Sequence, residues 1–384
     1  MSKEVKILIN GVTLEEGNII PLLSKIKNWQ DSGNKISIIG NKCLKEKIEK
    51  FNILKREYKF IELKATRKIE NKFYLIFEGL RRNLQLIKTI KNYNSFDIVY
   101  SISSVLDLVI FPFYLKIISR RIKWATVFDN KVPLNDPGNK IVRFLAWVFF
   151  HLSLVFLRKA DYVFAISKDL RNYLIKKGFD RNKIILTGNA VENNLIKKAR
   201  KKENSNIDAL FVGRINETKG IYDMLKVLEI VKKKYLNFQL AFIGTGDKVT
   251  ENQFRNKILE MNLGGNIQFL GYQTGLEKFN FIKSSKCFWF LSKSESESFG
   301  IALLEAVCCG LWAFVYDLVP FRSIYKNNEI IVSKIGDYRS VAKKVIELFD
   351  KKDFDNPHGK LLLNKYNWGR IAKIELDNFS KNKK

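Results

Sequence analysis

The sequence predicts an α/β protein with two parallel-sheet domains, and three observations support that fold class. The chain has 384 residues, of which 46% are hydrophobic. This exceeds what one hydrophobic core commonly holds, so we expect two domains of about 150 to 200 residues each. Short apolar runs alternate with segments of helical period along the chain, which is typical of parallel sheets covered by helices. The same alternation restarts near the middle of the chain.

The first half contains six apolar runs that we predict to be strands. They lie near Val5–Ile9, Ile36–Ile39, Ile98–Ser101, Ala125–Phe128, Tyr162–Ile166 and Ile184–Thr187. After them, residues 192–206 are rich in Lys, Glu, Asn and Ser and poor in apolar residues, so we place the connection between the halves there. The first domain is therefore predicted over residues 1–191.

The second half repeats this rhythm over residues 205–366. Its predicted strands lie near Ala209–Val212, Leu240–Ile243, Ile267–Leu270, Phe288–Leu291, Ala313–Tyr316 and Ile330–Val332. Both halves are thus predicted to be Rossmann-like and to face one another across a cleft. Open α/β sheets bind ligands beyond the carboxyl ends of their strands, so we expect both domains to line one site.

The net charge of +29 has three candidate explanations: nucleic acid, an anionic membrane surface, or lysines that only solvate the surface. Lysines occur all along the chain, which favours the third, and no RNA-binding module supports a specific nucleic-acid partner. One segment, Asn71–Asn92, resembles a helix lying on anionic lipid, although an ordinary surface helix of a basic protein has the same pattern. Its apolar residues at helical spacing are Phe73, Phe77, Leu80, Leu84, Ile87 and Ile90, beside Lys72, Arg81, Arg82, Lys88 and Lys91.

The strongest candidate for a membrane span is Ile141–Leu157, but Arg143 and His151 interrupt it. The uninterrupted part falls short of the ~20 residues that a spanning helix needs, so we predict a buried helix instead. No stretch resembles a cleavable signal, because the apolar run Val5–Ile9 is short. We therefore expect a cytoplasmic protein, with peripheral contact to the inner membrane face as a further hypothesis.

Four cysteines without a CxxC pair and two histidines do not suggest a metal site, and no permanently bound cofactor is expected.

The segment from Glu297 to Glu305, Glu-Ser-Phe-Gly-Ile-Ala-Leu-Leu-Glu, is the most informative motif. Its first glutamate lies in a loop and its second inside the following helix. Backbone N–H groups at such a helix N-terminus attract anions, and the two carboxylates can accept hydrogen bonds from sugar and ribose hydroxyls. Two solvated glutamates at a helix entry are the alternative interpretation.

A second motif follows the first strand of the second half, where Gly213 and Arg214 precede Lys219 and Gly220. Gly213 allows a tight turn off the strand, and the guanidinium and ammonium groups lie where a diphosphate would rest. A loop with two solvated cations is the alternative.

Glycines mark two further loops at the predicted ligand edge. Gly244 and Gly246 follow the next strand, but a dinucleotide fingerprint is incomplete there, which disfavours a nicotinamide enzyme. They permit close approach of a base or ribose, and a plain strand-to-helix turn explains them equally well. Gly17, after Asn10 in the first domain, could admit a donor phosphate or an acceptor.

Taken in order, these motifs resemble those of family 4 glycosyltransferases of the GT-B fold, also called glycosyl transferases group 1. The resemblance covers nearly the whole chain. It is carried by Gly213-Arg214, Lys219-Gly220, Gly244-x-Gly246, Phe269-Leu-Gly271, Glu297 to Glu305 with Ala306 and Gly310, Ala160 to Ser167, and Gly188-Asn-Ala-Val191.

The resemblance implies a hexosyltransferase-type enzyme that transfers a sugar with retention from a nucleoside diphosphate sugar, a UDP- or GDP-sugar, without a bound metal. It also implies that a final helix, within residues 367–384, crosses back to the first domain. For the residues it implies that Arg214 and Lys219 hold the diphosphate, Glu297 faces the donor sugar, and Glu305 binds the ribose. Backbone amides over Phe299, Gly300 and Ile301 complete the donor site.

The chain departs from the family pattern where a histidine often follows the fifth strand of the first domain. Phe128 stands there, followed by Asp129. Asp129 is a candidate on the acceptor side, and a turn or helix-capping aspartate is the alternative.

From the sequence we therefore predict a glycosyltransferase with a glycan or lipid-linked acceptor. A nucleotide-sugar epimerase of the same fold, a non-catalytic partner subunit and a basic nucleic-acid-binding protein remain alternatives.

Overall fold

The computed structural model describes residues 4–11, 19–54, 56–63, 74–90, 93–134, 140–203, 205–326 and 328–381. Among these residues the chain forms two compact units. Unit 1 comprises the residues up to 134, residues 140–190 and residues from 368 onward, and unit 2 comprises residues 191–367.

Unit 1 is a parallel sheet of seven strands with helices around it. The strands are β1 (Lys6–Asn10), β2 (Lys35–Gly40), β3 (Lys59–Glu62), β4 (Ile98–Ser101), β5 (Lys123–Phe128), β6 (Tyr162–Ala165) and β7 (Ile184–Leu186), in the order β3-β2-β1-β4-β5-β6-β7. The helices are α1 (Ile20–Asp31), α2 (Lys42–Phe51), α3 (Tyr74–Thr89), α4 (Leu106–Ile118), α5 (Lys140–Leu157), α6 (Lys168–Lys176) and, from the end of the chain, α15 (Trp368–Lys381). Side-chain caps start two of them: Asn41 accepts from the Leu44 amide before α2, and Ser167 accepts from the Leu170 amide before α6.

Unit 2 is a parallel sheet of six strands in the order β10-β9-β8-β11-β12-β13. Its strands are β8 (Ile207–Val212), β9 (Leu240–Ile243), β10 (Ile267–Phe269), β11 (Ser285–Phe290), β12 (Trp312–Tyr316) and β13 (Ile331–Ser333). Its helices are α7 (Asn193–Lys198), α8 (Ile221–Lys232), α9 (Lys248–Glu260), α10 (Gly275–Ser284), α11 (Ile301–Cys308), α12 (Val319–Ile324), α13 (Tyr338–Lys351) and α14 (Gly359–Lys365).

The predicted fold class is confirmed, since all six strands predicted in each half are present. The prediction missed β3, an edge strand. Its central residues Phe60 and Ile61 are only half-buried and lie between exposed Lys59 and Glu62, so the strand lacks the apolar run that marks the others.

The end of the chain packs in unit 1, where α15 lies against α1. Phe379 on α15 is buried, and its ring lies 5.8 Å from that of Tyr162 and 5.9 Å from that of Phe164. Aromatic contacts of this kind add to the burial of apolar area, so α15 is an integral part of this core.

The segment predicted as the connection between the halves contains α7 and contacts α10. The Arg200 amide donates to Asn280 Oδ1 at 3.0 Å, and the Lys202 amide donates to Ser284 Oγ at 2.7 Å. These bonds hold residues 200–202 against α10 within unit 2.

One prediction is wrong: the apolar segment Ile141–Leu157 is not a buried helix. It forms α5, yet only 22% of its residues are buried. Helices that are apolar on every side are commonly buried on every side, but α5 buries only one. Among the described residues, α5 is also the one helix whose length and composition would suffice to cross a bilayer.

Candidate functional site

The sequence motifs of unit 2 meet at one edge of its sheet. All of its strands are parallel, so the loops after β8, β9 and β11 leave from the same edge. Strand β8 lies between β9 and β11, and the order of the strands reverses there. This is the position at which open α/β sheets form a ligand crevice.

At this edge, the structure brings together Lys219, after β8, and Glu297, after β11. The Lys219 ammonium donates to Glu297 Oε1, and Ser292 Oγ donates to the same oxygen at 3.2 Å. Glu297 is 8% exposed. Burying a carboxylate costs less free energy when it has such partners, and here both side-chain contacts go to one oxygen. Ser292 was not predicted, although it directly follows the residue that ends the apolar run of β11.

Backbone bonds hold the two loops side by side. The Lys293 amide donates to the Thr218 carbonyl at 2.9 Å, and this carbonyl lies 3.1 Å from Ser292 Oγ, as a second acceptor within reach of the one hydroxyl proton. Asn216 caps the short turn that carries Lys219, because its side chain accepts from the Lys219 amide. Hydrogen bonds therefore fix the turn that carries the Lys219 ammonium group.

Arg214, two residues beyond the end of β8, is exposed. Among the described residues no carboxylate lies within ion-pair distance of its guanidinium, and the described contacts do not join it to Lys219. The guanidinium is thus a cation at the ligand edge that the described part of the protein leaves unneutralised.

The start of α11 forms the third side of this site. Gly300 is its N-cap and has φ 69°, a left-handed conformation that glycine adopts without strain. The helix has no side-chain cap, so the N–H groups of its first turn have no side-chain acceptor there. Phe299 is 2% exposed and packs edge-on against Tyr366 at 5.4 Å, while Ile301 is 38% exposed. The positive end of α11 therefore lies three residues beyond Glu297.

Glu305, on α11, has a partner that the sequence did not predict. Lys278 on α10 donates to both carboxylate oxygens at 2.7 Å, and Glu305 is 6% exposed. The two residues are separated by 27 positions, and no motif links them. The carboxylate is thus neutralised within unit 2.

The predicted glycines pack closely. A Cβ on Gly244 would lie 1.9 Å from the Gly213 carbonyl oxygen, and one on Gly246 would lie 2.4 Å from the Ile215 carbonyl oxygen. The Gly246 amide donates to Glu251 at 2.6 Å. The close approach of the loops after β8 and β9 therefore explains why both positions are glycine. Gly17 lies outside the described residues.

A further cluster of interacting side chains, next to the site, was not predicted. Asp223 on α8 accepts from Tyr316 at 2.6 Å and pairs with Lys293 at 2.6 Å. Burial and the hydrogen bond to Asp223 raise the pKa of Tyr316 well above its ordinary value. Lys293 is therefore tied to α8, and the neighbouring Ser292 is held with it.

In unit 1, strand β5 ends at Phe128, which lies in an aromatic cluster. Phe128 is fully buried and stacks at 6.2 Å on Tyr173 and at the same distance from Phe150. Asp129 accepts from Ser103 Oγ at 2.9 Å, and burial raises the pKa of this carboxyl. It caps no helix. In the described part of the chain no three His, Cys, Asp or Glu side chains cluster as metal ligands would.

Two parallel sheets, with a ligand edge built from paired charges and an open helix N-terminus, define the class of this protein as GT-B, an α/β fold with two Rossmann-like units. The particular resemblance lies in unit 2, where residues 192–360 match the family model described as Glycosyl transferases group 1.

Two curated relatives show similar sequences. The capsular polysaccharide biosynthesis glycosyltransferase CapH of Staphylococcus aureus is 29% identical over 61% of this chain and 62% of its own. The GDP-mannose:cellobiosyl-diphosphopolyprenol alpha-mannosyltransferase of Xanthomonas oryzae pv. oryzae is 25% identical over 44% of this chain and 46% of its own. The match thus spans about half to three fifths of the length of these relatives.

Solved structures share the fold over nearly the full length. A glycosyltransferase from Rickettsia africae has a TM-score of 0.75 at 17% identity, covering 99% of this chain and 100% of its own. Anabaena HepE in complex with UDP and glucose has a TM-score of 0.76 at 13% identity, covering 98% and 100%. These neighbours confirm the GT-B fold.

Proposed function

We propose that this protein is a hexosyltransferase-type glycosyltransferase of family 4. In this proposal it moves a sugar from a UDP- or GDP-sugar to a glycan or lipid-linked acceptor, with retention. The Glycosyl transferases group 1 match and the transferase relatives support the reaction class. UDP in the HepE complex and GDP-mannose in the name of a relative support the type of donor.

The observation that carries the proposal is the Lys219–Glu297 pair beside the uncapped start of α11. A donor needs cationic groups for its diphosphate and a carboxylate for its sugar hydroxyls. Here an ammonium group, a carboxylate and a helix N-terminus lie within one loop edge. Because both side-chain contacts go to Oε1 of Glu297, we assign Oε2 to a hydroxyl of the donor sugar.

Departure of the sugar leaves extra negative charge on the diphosphate. Lys219, Arg214 and the amides from Phe299 to Ile301 would then bind the transition state more tightly than the ground state. Since Arg214 has no ion pair among the described residues, it can turn to the phosphates without breaking one. Loss of one such group is expected to cost about 3 to 4 kcal/mol of barrier.

Glu305 would accept from the ribose hydroxyls, as the family resemblance implies. Its two bonds to Lys278 hold it in place, and a carboxylate oxygen can accept more than one hydrogen bond. Lys278 would therefore position Glu305. In the same proposal unit 1 recognises the acceptor, with Asp129 on that side, and the protein acts in the cytoplasm at the inner membrane face.

A panel of UDP-, GDP- and ADP-sugars tested by thermal shift would examine the donor. Ligand at about a hundred times its Kd stabilises the folded state by about 2.7 kcal/mol, so one nucleotide class should raise Tm clearly. Lys219→Met should abolish that shift. Lys233→Met, at an exposed position of unit 2, is the matched control and should retain it.

The product distinguishes the remaining alternatives. Transfer to a lipid-linked or glycan acceptor, with the anomeric configuration of the product read by NMR, would support the proposal in full. Conversion of the donor without an acceptor would identify an epimerase, and binding without turnover a non-catalytic subunit. Salt-dependent RNA binding without any donor shift would overturn the proposal.

A further inference from the structure

The outward side of α5 is apolar over its whole length. Residues that follow one another at steps of three or four positions share one side of a helix. Those on this side are Ile141, Phe144, Val148, Leu152 and Val155. Four of them are 68%, 53%, 41% and 58% exposed, for Ile141, Phe144, Leu152 and Val155 respectively. An ordinary surface helix carries polar side chains on that side.

The opposite side of α5 explains its place in the fold. Phe150, Ser153, Leu154 and Leu157 are buried there. The helix therefore has two apolar sides, of which packing in unit 1 uses one. Burial alone accounts for the inner side and leaves the outer side unexplained.

The neighbouring helix continues this surface. Helix α4 packs against α5, and the rings of Phe113 and Phe156 stack at 4.6 Å. One turn beyond Phe113, Ile117 is 65% exposed, and Ile118 is 40% exposed. We name the set Ile117, Ile118, Ile141, Phe144, Leu152 and Val155 the α4–α5 face. Exposed apolar surface on this scale commonly marks an interaction site.

Helix α3, for which the sequence left lipid contact and an ordinary surface helix open, is less suited to that role. Leu80 and Leu84 are 50% and 60% exposed, but Ile90 and Arg82 are 6% and 5% exposed. Arg82 lies 3.4 Å from Glu78, so it turns inward. Phe73, Lys72 and Lys91 of that segment lie outside the described residues, as does the side chain of Phe77.

Cations lie at the ends of the α4–α5 face. Arg120 and Arg121 follow α4, Lys140 begins α5, and Arg158 and Lys159 follow α5; all five are exposed. Helix α5 itself contains no Asp or Glu. Among the described residues no carboxylate pairs with Arg120, Arg121 or Lys159. An apolar band with cations at its ends matches an anionic lipid surface in both its polar and its apolar layers.

The topology excludes a membrane crossing by α5. The chain enters α5 from β5 and leaves it to β6, and these two strands are hydrogen-bonded parallel neighbours in one sheet. A helix that crossed a bilayer would place its two ends on opposite sides of the membrane. Strands β5 and β6 could then not pair as neighbours in one sheet. Helix α5 can therefore lie on a membrane but cannot span it.

We propose that the α4–α5 face docks on an anionic lipid bilayer, with α5 lying in the plane of the interface. Its apolar side chains enter the boundary between headgroups and acyl chains, and the cations at its ends contact acidic headgroups. A second copy of this chain is a poorer occupant, because two such faces would bring like charges together. The proposal does not depend on the identity of the sugar or on transfer activity.

Co-sedimentation of the full chain with phosphatidylcholine vesicles, with and without phosphatidylglycerol, tests this. We expect binding that needs phosphatidylglycerol and weakens with salt. The triple variant Phe144→Gln, Leu152→Gln, Val155→Gln should lose it. Arg120→Gln, Arg121→Gln, Lys159→Gln should lower the partition coefficient on the order of a hundredfold, given roughly fivefold for each cation at the surface.

The matched control is Leu236→Gln, Val249→Gln, Leu259→Gln, which removes three apolar side chains of 71%, 66% and 68% exposure from unit 2. It should bind vesicles as the unchanged protein does. Circular dichroism and the donor-induced Tm shift check that each variant is folded, and the latter separates failure of docking from failure of the proposed function. No vesicle binding, or binding that the face variants leave intact, would overturn the proposal. So would a dimer that the apolar triple variant converts to a monomer.

Discussion

Each unit of this protein contains a Lys–Glu pair, and the two pairs differ in their surroundings. In unit 2, Lys219 and Glu297 join two loops, and their side chains are 26% and 9% exposed. In unit 1, Lys25 on α1 and Glu375 on α15 join two helices at 3.3 Å, and their side chains are 9% and 1% exposed. The same two residue types thus occupy a ligand edge in one unit and a helix interface in the other.

The surroundings of Lys25 and Glu375 indicate a structural role. Tyr100 donates to Glu375 at 3.0 Å and accepts from Lys25 at 2.5 Å, and the Lys25 ammonium lies 4.9 Å from the centre of the Tyr100 ring. Burial raises the pKa of Glu375, against the opposing influence of Lys25. The comparison teaches that a charge pair at loops beside an open helix end can meet a substrate, whereas one enclosed by aromatic rings can only hold elements together.

The largest effect expected is on stability, from breaking the pair in unit 1. Lys25→Met leaves a buried carboxylate without its cation, which should cost about 3 to 5 kcal/mol. The double variant Lys25→Met, Glu375→Leu should recover much of that loss, because both desolvated charges are gone. Urea unfolding of the single and double variants measures the coupling. If the stability losses of the single variants simply added in the double variant, the two residues would not be coupled and this prediction would be contradicted.

Next comes the pair in unit 2, where catalysis should suffer instead of folding. Glu297→Gln should lower the transfer rate by roughly 10² to 10³, or about 3 to 4 kcal/mol of barrier, with little change in Tm. Glu295→Gln, at an exposed position two residues earlier, is the matched control and should transfer at the unchanged rate. If Glu297→Gln instead lowered Tm by as much as Lys25→Met does, the contrast between the two pairs would fail.

The sequence predicted the fold, and it located the loops of the proposed donor site, because apolar runs and short motifs are local features of the chain. Apolar runs marked twelve strands, and the motifs lie in the loops after three of them, β8, β9 and β11. Pairings between residues that are distant in the sequence could not be predicted in this way. Lys278 reaches Glu305 from another helix, and Lys25 meets Glu375 across 350 positions. Only the folded topology brings such residues together.

Helix α5 shows a second kind of feature that the sequence pattern could not decide. Its composition made it look buried, because apolar residues occur on all its sides. Periodicity cannot tell whether an apolar side faces a core or a lipid surface, since both exclude water. The exposed fractions of Phe144 and Val155 supply the information that the sequence lacks.

A smaller effect should follow from crowding the loops after β8 and β9, at the ligand edge of unit 2. Gly244→Ala would place a Cβ 1.9 Å from the Gly213 carbonyl oxygen at a φ of 131°, so the β8 and β9 loops must separate. We expect a loss of about 1 to 3 kcal/mol in stability together with weaker donor binding. Gly271→Ala also has positive φ but nothing within 4 Å of its Cβ. It should lose only about 1 kcal/mol and keep its donor shift in Tm, and an equal loss of donor binding in both variants would refute the crowding argument.

Placing a histidine at position 128, as in the family pattern that the sequence resembles, should have an effect of similar size and no benefit. Phe128→His puts a polar ring among Phe150 and Tyr173, where an unsatisfied ring nitrogen costs about 1 to 3 kcal/mol. We expect a lower Tm and no gain in transfer rate, because the side chain points into an aromatic cluster. Phe128→Leu is the control for lost ring stacking. A rate increase in the histidine variant would show that this edge is a degraded catalytic site.

The smallest effect is a pH slope that belongs to Glu375. Its pKa is raised by burial above the value of about 4.3 for an unfolded glutamate. The folded state therefore holds this proton more tightly, and between the two pKa values the unfolded state binds fewer protons. Stability from this group must fall as pH rises through that window, by at most about 1.4 kcal/mol for each pH unit. Glu375→Gln has no such titration. The unfolding free energy of the unchanged protein minus that of the variant should therefore decrease from about pH 4 upward. A difference that grew with pH would mean that Lys25 outweighs burial, and that the pair of unit 1 behaves as an ordinary stabilising ion pair.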